Sequence, residues 1–147
     1  MNIKIISAVM VGSILLAACT KKPVSTDDST AVVQFIATDW SARPIFASGS
    51  VLNLSEEQFQ ALSSADEQAK SGEMMSQIDS LKQEAAAVAQ AGREAAAKGD
   101  IAQARKCFTS LKQCGVALDS TNNLDIVQLV GQGFEKRADA ELAKISQ

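Results

Sequence analysis

Apolar positions recur at helical spacing along most of this chain. With side chains placed at about 100° per residue, Ile101, Ala104, Cys107, Phe108, Leu111, Cys114, Gly115 and Leu118 share one arc of about 140°. That is the width of a core-facing helical stripe. Arg105, Lys106, Thr109, Ser110, Lys112 and Gln113 fall on the other side. Two further stretches show the same period. Over 72–98 it is carried by Met75, Ile78, Leu81, Ala85, Val88, Gly92 and Ala96. Over 124–145 it is carried by Leu124, Val127, Val130, Gly131, Phe134, Ala138, Leu142 and Ile145. Ile126 and Leu129 lie off that last face, so the first two turns there read as apolar most of the way round, as in a centrally buried segment.

Boundary signals divide this pattern into elements. Ser55 with Gln58 forms a capping box, and Leu54 and Phe59 stand at staple positions, which opens a helix expected to run over 55–68. Glu56 and Glu57 complement its positive end. Lys98-Gly99-Asp100 reads as a helix stop followed at once by the next N-cap. Asp119-Ser120-Thr121-Asn122-Asn123 is a second polar turn. The segment 31–40 fits a short helix through Val33, Ile36 and Trp40, although its β-branched content also suits a strand. Short connections between amphipathic helices make neighbours antiparallel. The predicted fold is therefore all-α, a small antiparallel bundle of three to four main helices over 31–147. Gly131 and Gly133 each cost about 1 kcal/mol in a helix interior, which points to close packing, with the alanine-rich stretch before Lys98 as the expected neighbour. Glu94 and Lys98 are spaced for an i, i+4 pair.

The run from Ala95 through Gly99-Asp100 to Phe108 resembles the turn of a tetratricopeptide-type hairpin, in which a Gly-Asp pair precedes an alanine-rich second helix with an aromatic residue. The likeness spans one hairpin, with no second copy at a 34-residue period, and a stable array needs about three repeats. It implies a peptide-binding adaptor with an open concave face.

The first residues follow a different logic. Lys4 precedes an apolar stretch over 5–16, and the small pair Ala17-Ala18 follows. That is the charged, apolar, small-residue order of a secretory signal. Gly12, Ser13 and the closing Lys21-Lys22 leave it short of the ~20 apolar residues a membrane span needs. Leu16-Ala17-Ala18-Cys19 resembles the lipobox of bacterial lipoproteins, position for position. The resemblance implies cleavage after Ala18, with Leu16, Ala17 and Ala18 as recognition positions and a diacylglycerol thioether on Cys19. It also implies an acylated new N-terminus. At ~0.8 kcal/mol per buried methylene such an anchor is effectively permanent. Thr20, where an aspartate would favour retention at the inner membrane, implies the outer membrane facing the periplasm in a Gram-negative cell. The expected organisation is a signal over 1–18, a lipidated N-terminus and flexible polar tether over 19–30, then the helical domain.

Composition narrows the function. Removing the first 18 of 147 residues leaves 129, a single modest domain. The formal charge of −3 becomes −4 once Lys4 is lost, and its even spread gives no footprint for nucleic acid. The chain has no histidine, which excludes imidazole-dependent nucleophile systems and histidine zinc sites. No catalytic residue, metal site or cofactor is expected. The carboxylates are dispersed, and Met74-Met75 reads as packing.

Cys107 and Cys114 are the thiols left after lipidation. Seven residues of helix separate their Cα atoms by ~10.5 Å, beyond the ~7 Å reach of a disulfide. They are inert core thiols, or they pair through a helix break near Lys112 or across a dimer, or they buffer thiol chemistry. The expected role is that of a non-enzymatic, lipid-anchored envelope protein, held to the membrane through Cys19 and presenting its helices to a protein partner or to its own copies. The adaptor and a stress-related, thiol-buffering protein are the alternatives.

Overall fold

A computed structural model describes residues 26–40, 42–43 and 46–146. Among these residues five α-helices carry the fold: α1 (Thr26–Ala37), α2 (Glu56–Gln60), α3 (Ser64–Ala97), α4 (Ile101–Leu118) and α5 (Asp125–Lys144). A 3₁₀ turn covers Val51–Asn53. Among the described residues there is no strand. The all-α expectation holds, and no helix is long and apolar enough to cross a membrane among these residues.

The ends of the helices follow from local chemistry. Ser55 Oγ accepts from Gln58 N–H at 3.2 Å and Gln58 Oε1 accepts from Ser55 N–H at 3.0 Å, so the capping box forms as the sequence indicates. At the α3–α4 turn Gly99 takes φ +80°, a region that penalises a Cβ. Gly99 N–H donates to Ala96 O and Asp100 N–H to Ala95 O, which satisfies two terminal carbonyls. Asp100 Oδ1 then caps α4 by accepting from Gln103 N–H at 3.0 Å. The α4–α5 turn is tied from within. Buried Asn123 donates from Nδ2 to Leu118 O at 3.0 Å, and Gln128 Nε2 donates to Asn123 O at 2.7 Å.

Several boundaries differ from expectation. The helix begun at Ser55 stops at Gln60 instead of running over 55–68. Ser63 supplies a fresh N-cap, its Oγ accepting from Asp66 N–H, and α3 then runs unbroken for 34 residues. Gly72 does not interrupt it, because one exposed glycine costs only about 1 kcal/mol. The helix expected over 31–40 is present but begins at Thr26, inside the stretch assigned to the tether.

The core lies where α4 meets its neighbours. It packs against α3 on one side and α5 on another, while α1 lies across α3 and α4. The inward face of α3 reads Met74, Ile78, Leu81, Ala85, Val88, Ala89 and Gly92. Met74 rather than Met75 enters the core, and Met75 is exposed. Val51 and Leu52 of the 3₁₀ turn join this cluster with Phe35 and Trp40.

Small residues set the crossing distances. A Cβ on Gly92 would come within 2.7 Å of the Phe108 ring. A Cβ on Gly131 would meet Gly115 O and Asp119 N, both at 2.6 Å, so the α4 and α5 backbones touch at the Gly115–Gly131 crossing. The neighbour of Gly131 is thus α4, not the alanine-rich end of α3. Gly133 points into open space and packs against nothing. The reading of α5 as buried all round at its start is also overturned. Ile126 and Leu129 are 43% and 63% exposed, because α5 lies at the edge of the bundle. Two ion pairs bind α5 to its neighbours, Arg93–Glu141 at 3.4 Å and Lys112–Asp139 at 2.8 Å. Burial alone would raise the Glu141 carboxyl, but Lys144 and Arg93 together hold it below its ordinary value. Glu94 accepts from Gln90 Nε2 at 2.6 Å in place of the anticipated bond from Lys98.

Candidate functional site

The chain between α1 and α2 is pinned against α4 by its aromatic residues. Trp40 packs on Phe35 with ring centroids 4.2 Å apart and meets Phe46 edge-on at 6.2 Å. The guanidinium of Arg43 sits 4.7 Å from the Trp40 ring, the distance of a cation–π contact. Arg43 also pairs with Glu84 of α3 at 3.2 Å. The indole N–H of Trp40 donates to Ser110 Oγ at 3.1 Å, and Ser110 Oγ donates to Phe35 O at 3.0 Å.

Sequence patterning placed Ser110 on the polar side of α4, yet it is buried. The reason is that α4 has a second covered face, beneath α1. A lone Trp after a short helix and a hydroxyl three turns into an amphipathic one carry no pairing signal between them.

Beside this latch an open groove of ≈ 780 Å³ runs between Asp39, Trp40, Phe46 and Asn53 and the outer side of α4. Trp40, Phe46, Val116 and Ala117 give it an apolar floor, with Asp39 and Lys112 among its polar residues. Lys112 is already engaged: its ammonium donates to Asp139 at 2.8 Å, and that bond raises its pKa. The groove can hold apolar or amphipathic matter through contact and a few hydrogen bonds.

No family model, known relative or solved structure matches the chain.

The residues singled out in the sequence fall in two places. Leu16, Ala17, Ala18 and Cys19 lie outside the described residues. Cys107 and Cys114 are free, buried thiols on α4, both facing the core. Burial pushes the Cys107 thiol up, and it pushes Cys114 up to about 12. A thiol held this far from ionisation is a poor nucleophile at neutral pH. Among the described residues no group of three or more His, Cys, Asp or Glu is arranged to hold a metal ion. The sequence reading did not find the groove, since its walls come from segments 70 residues apart.

Proposed function

We propose that this chain is a lipid-anchored helical module of the bacterial cell envelope that acts by presenting its bundle to a protein partner beside the membrane. The observation that carries the reading is Leu16-Ala17-Ala18-Cys19 placed directly after a short apolar stretch. In this reading Cys19 is the modified nucleophile, the first 18 residues are removed, and Thr20 directs the product to the outer membrane of a Gram-negative cell.

The fold suits such a role. Because α1 begins at Thr26, seven residue steps separate its first residue from Cys19. At ~3.6 Å per step they span at most ~25 Å, which holds the bundle close to the headgroups. Lys21 and Lys22 add about 1 kcal/mol each near an anionic surface. The groove beside Trp40 supplies a surface for a partner segment. The packing of α1, α3 and α5 around α4 suits a closed bundle better than a concave adaptor. The burial of both thiols disfavours thiol buffering.

Metabolic labelling with a fatty acid tests the anchor. The wild-type protein is expected to take up label and fractionate with membranes, and Cys19→Ser to take up none. Label on the variant, or a purified wild-type chain retaining Met1, refutes the assignment.

A further inference from the structure

The outward side of α5 is apolar where a lone helix face should be polar. Ile126 and Leu129 stand 43% and 63% exposed there. At about 100° per residue, Ile126, Leu129, Gly133 and Ala140 fall within an arc of about 60°, which Lys144, paired with Glu141, closes at the end of the helix. That arc is directed away from Val127, Gly131 and Ala138, which face the core. Asp125 and Lys136 flank it on one side and Arg137 on the other. All of these residues are exposed, and Asp125, Lys136 and Arg137 make no ion pair among the described residues.

We propose that this face is the interface of a homodimer, in which two copies of α5 pack antiparallel about a two-fold axis level with Gly131. A two-fold interface must be self-complementary, and one register makes this one so. Residues meet when their numbers sum to about 262 and they lie on the same flank. Leu129 then lies over Gly133 of the second copy, where the missing side chain leaves open space.

The charges match in the same register. Asp125 comes opposite Lys136 of the second copy, and the aliphatic stem of Arg137 covers the second copy's Ile126 while its guanidinium reaches water. Each contact occurs twice. The small residues at Gly133 and Ala140 let the axes approach to the ~8–10 Å of ordinary helix pairs. Neither the groove nor the lipid is needed, so this inference stands or falls apart from the proposed function.

Sedimentation equilibrium of the full chain in a density-matched detergent tests it. The wild-type protein is expected to self-associate as a dimer. Leu129→Glu places a carboxylate in the apolar centre and is expected to raise the dissociation constant about tenfold or more. Asp125→Lys alone and Lys136→Glu alone each set like charges together and are expected to weaken the dimer about threefold or more. The double variant Asp125→Lys, Lys136→Glu restores opposite charges in this register and should recover most of the affinity.

A chain that stays monomeric overturns the proposal, as does a dimer indifferent to Leu129→Glu. Failure of the double variant to recover affinity, with helical content by circular dichroism unchanged, overturns the register and with it the assigned interface.

Discussion

Single atoms decide how closely these helices can pack. Gly131→Ala forces a methyl against two backbone atoms of the α4 side, neither of which can rotate away. Overpacking of that kind costs about 1–3 kcal/mol, and the urea midpoint should fall accordingly. Gly72→Ala is the control. The position is exposed, inside α3, with open space where the Cβ would go, so the same substitution should raise stability by about 1 kcal/mol. If the two variants shift in the same direction, the Gly115–Gly131 crossing is not where we place it. Ser110→Ala removes the acceptor of the Trp40 indole and the donor to Phe35 O. A buried N–H left without a partner costs about 1–3 kcal/mol, whereas Thr109→Ala, one residue away and exposed, should stay within about 0.5 kcal/mol. Equal midpoints for the two variants would remove the latch from the account.

At the scale of elements, α4 is the helix most legible in the sequence and the one on which the others depend. Its stripe was readable because period, caps and turn agreed: seven of its eight positions are buried, Ile101 alone being exposed. The length of α3 was not readable, because two serine caps eight residues apart compete and only tertiary packing chooses between continuation and restart. Periodicity also could not distinguish Met74 from Met75, adjacent residues of the same type, nor reveal that α5 has one covered side rather than two.

The buried thiols of α4 make a pH prediction. Unfolded, Cys114 ionises near its ordinary 9.0; folded, burial holds the proton to about 12. Across that window the unfolded chain binds fewer protons. The contribution is therefore complete below about pH 9 and declines by about 1.4 kcal/mol per pH unit up to about 12. Urea titrations at pH 7 and pH 10 should show a steeper loss for the wild-type protein than for Cys114→Ala. Parallel losses would mean that the thiol is solvated in the folded state.

On the scale of the whole molecule, the question is whether α1 belongs to the bundle or only leads into it. Its β-branched residues would also suit a strand, and it enters from the segment expected to be a tether. Yet Phe35 is 1% exposed and Trp40 is 3% exposed. Trp40 bonds to α4, Arg43 pairs with α3, and one contiguous apolar cluster extends from Val32 to Ala138. If the proposed anchor is at Cys19, α1 docked in this way limits the reach of the tether to the few residues before Thr26. Detached, it would add the whole 26–50 segment to that proposed tether and let the bundle drift from its proposed anchor. The single Trp of the chain is a probe placed at the joint. Fluorescence of Trp40 reports the docking of this segment, while far-ultraviolet circular dichroism reports mainly α3, α4 and α5, which hold most of the helical residues. A shared core makes unfolding all-or-none, so the two urea curves should coincide. A fluorescence transition at lower urea than the helical one would show that α1 and the latch open first, and the proposed anchor would then be joined to the bundle by a long, loose segment instead of a docked helix.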